Sequence, residues 1–241
     1  MKTAVILPTY NERQGLASVA QAILGLEVAH ELIVVDDASP DGTGAFADAM
    51  AGRDRRLHVI HRTGRRSYAG AVLEGFRFAL KGECDCVVTM DADGSHDPQS
   101  IAEMVQAAEQ FHMVLGSRYV DGVSVVNWSL SRVAASYAAN TYVRFVTGLR
   151  FMDATSGFRA YRREVLEAIG TEGITASGYA FLIEMAYRAH RMGFRVGESP
   201  IIFYGRHSRR SRLSGAMAAL EAALHTVRLR TRPVPPPRRQ P

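Results

Sequence analysis

The chain has 241 residues, 47% of them apolar and 22% charged, which suits one α/β domain or one domain with a small appendage and excludes a disordered or fibrous chain. No apolar stretch approaches the ~18 residues needed to span a bilayer, and Met1-Lys2 leads into only a short apolar run before Pro8, so a cytosolic protein without a secretory leader is expected. The net charge of +5 is unevenly placed: from Arg206 onward nine arginines face one acid, Glu221, for a local +8, against −3 for the rest of the chain.

In chain order, Ala4–Leu7 reads as a buried strand that stops at Pro8-Thr9-Tyr10-Asn11-Glu12. Gly15 to Leu26 has helical spacing through Leu16, Val19, Ala20, Ile23 and Leu24. Glu31–Val35 is a second strand, ending at Asp36-Asp37-Ala38-Ser39-Pro40-Asp41-Gly42, and a helix is predicted over Thr43–Ala51. Leu57–His61 reads as a strand and Ala69–Leu80 as a helix. Cys84 and Cys86, one residue apart at the start of the next strand, suit neither a disulfide nor a zinc site and are expected to be ordinary thiols.

That strand carries the most informative pattern in the chain. Val87-Val88-Thr89-Met90 ends in Asp91-Ala92-Asp93-Gly94-Ser95. Residues i and i+2 of a strand point to one side, so the two carboxylates converge at its carboxyl end. Converging carboxylates repel unless a cation lies between them, and hard divalent ions share such oxygen ligands with substrate phosphates. Three strands ending in acidic residues on one rim predict a nucleotide or nucleotide-sugar pocket, because open α/β sheets bind ligands there.

Further along, Pro98 opens a helix through Ile101, Met104, Val105 and Ala108, and Met113–Leu115 is a strand. Strands alternating with helices imply a mostly parallel sheet. Longer helices follow at about 128–147 and 177–192, with a strand at Arg195–Ile202. A helix from about Gly215 to Arg230 carries Met217, Leu220, Leu224 and Val227 on one face, suited either to packing or to a membrane surface. The basic charge of this segment suits an anionic partner such as lipid head groups or a phosphorylated acceptor. No nucleic-acid motif accompanies it, so nucleic acid is not an expected partner.

The motifs Pro8-Thr9-Tyr10-Asn11-Glu12, Val35-Asp36-Asp37-Ala38-Ser39-Pro40-Asp41-Gly42-Thr43 and Met90-Asp91-Ala92-Asp93 have the order and spacing of the family 2 glycosyltransferases, which the chain resembles. Gly116-Ser117-Arg118-Tyr119-Val120, Asn127–Arg132 with Ser136, and Asp153-Ala154-Thr155-Ser156-Gly157-Phe158 are similar to the polyprenol-phosphate (dolichol-phosphate) mannosyltransferases. So are Pro200–Phe203 leading to Arg206, and Ser211-Arg212-Leu213-Ser214. The resemblance runs from residue 3 to about 215.

It implies a GT-A nucleotide-sugar-binding domain over residues 1–213; beyond it the residues themselves read as a basic amphipathic helix over 214–230 and a disordered Pro/Arg tail over 231–241. It implies Mg²⁺ or Mn²⁺, a GDP-mannose donor and a polyprenyl monophosphate acceptor at the cytosolic face of a membrane, and leaves room for a membrane-protein partner. By position, Pro8, Tyr10, Glu12, Val35 and Asp37 would hold the nucleoside, and Asp91, Ala92 and Asp93 the diphosphate. The metal would fall to Asp91 and Asp93, with Ser95 where some relatives have Gln. Arg118, Arg132 and Ser136 would bind the acceptor phosphate; Arg206 would bridge the donor and acceptor phosphates, and Arg212 would contact the donor. Asp91, Asp93 and Arg206 would thus carry catalysis. Arginine replaces lysine at Arg65-Arg66 and Arg212, and Ala180 stands where some members place a lysine.

The implied reaction is inverting transfer of mannose to the lipid phosphate. One alternative keeps that chemistry with a UDP-sugar such as UDP-glucose. Another is an aspartate-nucleophile phosphatase, since Asp91-Ala92-Asp93-Gly94-Ser95 also fits its D-x-D-G-[ST] motif, but no Lys follows Lys81 to steady a phosphoaspartate. A Rossmann oxidoreductase is disfavoured: Gly42-Thr43-Gly44-Ala45-Phe46-Ala47 fits G-x-G-x-x-A but lies beyond an acidic, Pro-containing loop instead of directly after the strand.

Overall fold

Short apolar runs bounded by polar turns become buried parallel strands, and the periodic segments between them become the covering helices. The structure, a computed structural model, describes residues 1–172, 174, 176–205 and 214–231. Its first half follows the expected alternation: β1 (Thr3–Thr9), α1 (Arg13–Leu24), β2 (Ala29–Asp36), α2 (Thr43–Ala51), β3 (Leu57–His61), α3 (Tyr68–Ala79), β4 (Cys86–Thr89), α4 (Ser100–Ala107) and β5 (Met113–Ser117). The second half comprises β6 (Val125–Val126), α5 (Leu130–Thr147), β7 (Arg159–Arg162), α6 (Arg163–Ile169), α7 (Gly178–Arg191), β8 (Val196–Pro200), β9 (Phe203–Tyr204) and α8 (Ser214–Thr231).

Among the described residues, seven strands form one sheet in the order β3-β2-β1-β4-β7-β5-β8, while β6 and β9 pair separately. All neighbours in the large sheet are parallel except β7, which runs antiparallel to both β4 and β5. After β1 the chain builds outward through β2 and β3, then returns to place β4 on the other side of β1. That reversal opens a crevice at the carboxyl ends of β1, β2 and β4. Register confirms the shared rim, with Thr9 opposite Asp36 and Ile6 opposite Thr89.

Alternate residues of the strands feed two cores. Val5, Leu7, Val34 and Val88 pack with Leu16 and Ile23 of α1 and Ile101 and Met104 of α4. Ala4, Ile6, Ile33 and Val87 pack on the other face with Val72 and Phe76 of α3 and Phe181 and Met185 of α7.

β7 and α6 were not anticipated. Arg159-Ala160-Tyr161-Arg162 shows no apolar alternation, yet Arg159 and Tyr161 are fully buried. The Arg159 guanidinium is accommodated because it donates to three backbone carbonyls, Ala154, Ser156 and Leu182, at 2.6 to 2.7 Å. The expected strand at Arg195–Ile202 is β8, and β9, which follows just beyond that range and was not expected, pairs with β6.

α8 packs on the body through Ala222, Thr226 and Leu229, and His225 Nε2 lies 2.8 Å from the buried carboxylate of Glu184. The side chains of the predicted stripe face outward: Leu220 is 61%, Leu224 53% and Val227 49% exposed. The Met217 side chain lies outside the described residues, as do Arg206, Arg212 and the expected tail beyond Thr231.

Candidate active site

The loops after β1 and β2 are tied together by Asp36. Its carboxylate accepts from Thr9 Oγ1 at 3.1 Å and from the Ser39 amide and hydroxyl at 3.0 and 2.5 Å. Ser39 Oγ in turn accepts the Asn11 amide at 3.0 Å. Asn11 and Ala38 are both held at positive φ, 59° and 55°. Asparagine tolerates this left-handed conformation, whereas alanine adopts it only where the surroundings enforce it, commonly at ligand sites.

The expected nucleoside residues gather here. Asp37 is buried, and its carboxylate is aimed by Arg62 Nη1 at 2.5 Å and the Ser67 amide at 2.7 Å. An ionised carboxylate offers about four acceptor sites, so capacity for a base or ribose remains. Tyr10 is half-buried, with the Arg66 guanidinium 4.1 Å above its ring. Pro8 and Glu12 are half-buried beside it in sequence, and the Glu12 amide donates to Thr43 Oγ1 at 3.0 Å. The Val35 side chain is wholly buried in the core, so a contact from this position would come from its backbone.

Beyond β4, Asp91 and Asp93 are half-buried on the rim while Ala92 turns into the core. Gly94, at φ 74°, makes the turn that lets the Ser95 amide donate to Asp93 Oδ1 at 2.9 Å. The Ser95 hydroxyl donates to the same oxygen. Ser95 is 1% exposed and holds Asp93 in place. Among the described residues no cluster of three His, Cys, Asp or Glu side chains forms a self-contained metal cage. A pair of carboxylates on an open rim does suit a cation that completes its shell with diphosphate oxygens and water, the habit of Mg²⁺ and Mn²⁺.

His96 follows. Its ring is buried between Phe158 and Phe203, at centroid distances of 5.1 and 5.2 Å. Burial, then the charge of nearby Arg118, push this imidazole down to about 3, so it is neutral at physiological pH.

Phe203 joins this region to the proposed acceptor residues. The Trp128 ring lies 5.3 Å from Phe203, and the Arg118 and Arg132 guanidiniums lie 5.4 and 4.0 Å from the Trp128 centroid. Ser136 Oγ accepts from Tyr119 OH at 2.7 Å. The three residues therefore come together, though in different states. Arg132 is exposed, whereas Arg118 is buried and grips Asp153 with Nε at 2.6 Å and Nη2 at 2.8 Å. Burial pushes the Asp153 carboxyl up, but the hydrogen bonds and charge of Arg118 outweigh it and hold the group below the usual carboxylate range. Glu198 accepts the Asp153 amide at 2.9 Å and the Met152 amide at 2.8 Å, fixing the 153–158 loop against β8.

Sequence reasoning missed Arg62, Ser67, His96 and Glu198. They act through contacts tens of residues away, which local patterns do not announce.

Residues 4–170 match the Glycosyl transferase family 2, and the chain belongs to that family. The chain is 40% identical over 228 residues, 95% of its length and 93% of the relative's, to the undecaprenyl-phosphate mannosyltransferase of Micrococcus luteus. It is 43% identical over 217 residues, 89% of its length and 82% of the relative's, to the polyprenol monophosphomannose synthase of Mycolicibacterium smegmatis. Its fold is similar to that of glucosyl-3-phosphoglycerate synthase from Mycobacterium tuberculosis, solved with Mn²⁺, UDP and glucosyl-3-phosphoglycerate: the TM-score is 0.73 at 19% identity, covering 96% of this chain and 81% of that one. The chain is thus a glycosyltransferase with the GT-A fold that its motifs imply.

Proposed function

We propose that this enzyme transfers mannose, with inversion, from GDP-mannose to a polyprenyl monophosphate. The observation that carries the reading is the adjacency of the Asp91/Asp93 rim and the Arg118–Trp128–Arg132 cluster across Phe203, in a chain whose similar relatives bear polyprenyl-phosphate mannose names. Two phosphorylated substrates meeting at one crevice need this arrangement: acidic groups to gather a cation for the donor, and arginines for the acceptor.

Asp37, aimed by Arg62 and Ser67, orients the nucleoside. Asp91 and Asp93 would hold Mg²⁺ or Mn²⁺, whose role is to neutralise the donor diphosphate as it departs. A phosphate monoester has a second pKa near ~6, so the acceptor oxygen is already ionised at neutral pH and needs positioning in place of a strong base. Arg132 supplies that positioning, and Arg118, locked by Asp153, presents a fixed positive charge behind it. One in-line displacement inverts the anomeric carbon. Arg206 and Arg212 are assigned to the phosphates by sequence position.

The deciding experiment incubates the enzyme with radiolabelled GDP-mannose, UDP-glucose or UDP-GlcNAc, a short polyprenyl phosphate and Mg²⁺ or Mn²⁺. Label is expected in the lipid phase from GDP-mannose; label from a UDP-sugar alone replaces the donor assignment. Arg132→Ala should raise the acceptor KM by roughly 10- to 100-fold, the worth of a charge-assisted hydrogen bond, with calorimetric GDP affinity unchanged. Loss of GDP binding instead would move Arg132 to the donor side.

The same reading includes a peripheral membrane location. Among the described residues no helix is long and apolar enough to cross a membrane. Large apolar side chains nevertheless lie exposed on adjoining helices: Leu130 (88%) and Phe145 (85%) on α5, and Leu220, Leu224 and Val227 on α8. Tyr142 OH of α5 donates to the Ala223 carbonyl of α8 at 3.0 Å, so the two helices form one surface. With Arg228 and Arg230 beside it, this surface suits an anionic bilayer, each basic residue contributing about 1 kcal/mol. Leu220→Ser with Leu224→Ser should lower co-sedimentation with anionic vesicles at low salt while leaving the melting temperature unchanged. Undiminished binding would transfer membrane contact elsewhere on the protein.

A further inference from the structure

Buried polar atoms are nearly always hydrogen-bonded, because burial without a partner forfeits the bonds water would make. Among the described residues, two of the buried atoms that break this rule, Tyr68 Oη and His96 Nδ1, border Asp91. His96 Nδ1 lies 3.9 Å from Asp91 Oδ2, just beyond hydrogen-bond reach, on a side chain that is 1% exposed. Phe158 and Phe203 fix the ring, so the gap closes only by movement of the carboxylate.

Tyr68 approaches from the side of the other oxygen. A methyl group on Gly157 would lie 2.7 Å from Tyr68 Oη and 3.4 Å from Asp91 Oδ1. Only the bare Cα of glycine therefore leaves the phenol and the carboxylate facing one small gap. Thr89 Oγ1 pins that glycine by donating to its carbonyl at 2.8 Å. A phenol carries its proton at neutral pH, so the Tyr68 hydroxyl is available as a hydrogen-bond donor.

We propose that Tyr68 and His96 are positioning residues for Asp91, the phenol donating toward Oδ1 and the imidazole Nδ1–H toward Oδ2 as the carboxylate turns onto its cation. The inference rests on the reading of Asp91 as a cation ligand. It explains why two donors are left unspent on either side of one acid. Ligating carboxylates are themselves held by hydrogen bonds, and loss of such a partner costs about 10- to 100-fold in metal affinity.

The test titrates the full chain with Mn²⁺ in the presence of GDP or UDP, counting free Mn²⁺ by electron paramagnetic resonance, with no sugar or acceptor present. Tyr68→Phe removes only the hydroxyl, and His96→Phe keeps an aromatic ring between its neighbours. Each should weaken Mn²⁺ binding by about 10-fold or more. His96→Asn, whose side-chain amide nitrogen falls near the lost Nδ1, should stay within about threefold of the parent. Parental Mn²⁺ affinity in both phenylalanine variants overturns the proposal. Equal weakening in His96→Phe and His96→Asn assigns His96 to packing and overturns its half. Failure of the parent protein to bind Mn²⁺ with either nucleotide overturns the cation reading itself, and the proposal with it.

Discussion

Asp93→Asn is expected to lower glycosyl transfer by about 1000-fold or more while the protein stays folded. Its carboxylate sits on the rim, half-buried, where Ser95 orients it through an amide and a hydroxyl bonded to one oxygen. Asparagine keeps an oxygen for both donors, so the turn through Gly94 should survive. What disappears is one negative charge at the proposed cation site. Metal-assisted charge stabilisation contributes several kcal/mol, and each ~1.4 kcal/mol is tenfold in rate. The comparison to make is the metal-dependent rate against the melting curve of the same preparation. Near-parental, metal-dependent turnover in the folded variant would remove Asp93 from the mechanism.

The largest expected effect on stability comes from Asp153→Ala. Asp153 is wholly buried and answers Arg118 Nε, Nη2 and amide, together with the amide and hydroxyl of Thr155. Removing it strands a guanidinium that is itself buried, and breaking such a pair costs about 3–5 kcal/mol. For a chain of this length that corresponds to a fall of roughly 6–20 °C in melting temperature. The pH dependence has a definite sign. The native carboxyl is held below its ordinary value of 3.8, so its stabilisation is complete above that pH and is lost as pH falls through the depressed native value. Acid unfolding of the parent should therefore include a contribution that Asp153→Ala lacks. A variant that melts with the parent would show that Arg118 finds another partner. Arg118→Ala, by the same reasoning, should lower stability as well as acceptor handling, whereas exposed Arg132 separates the two effects.

Much of this architecture was legible from local pattern. Runs such as Ala4–Leu7 and Leu32–Val35 are too apolar and too short to be anything but buried strands, and α1, α3 and α4 carry the spacing of helices with one covered face. Asp91 and Asp93, two residues apart after β4, announced the rim because strand geometry alone brings them together. β7 escaped notice, since its burial depends on carbonyls at 154, 156 and 182 meeting one guanidinium. The outward direction of Leu220, Leu224 and Val227 likewise depended on which side of α8 found Glu184 and the faces of α5 and α7. The alternation of elements, the acidic rim and the arginine-rich second half follow from side-chain period and composition alone. That Arg62 aims Asp37, that Arg118 spends its charge on Asp153, and that Tyr68 and His96 flank Asp91 emerges from the folded chain alone. Those partners are separated along the chain and meet only when the sheet closes around them, so no local period encodes them.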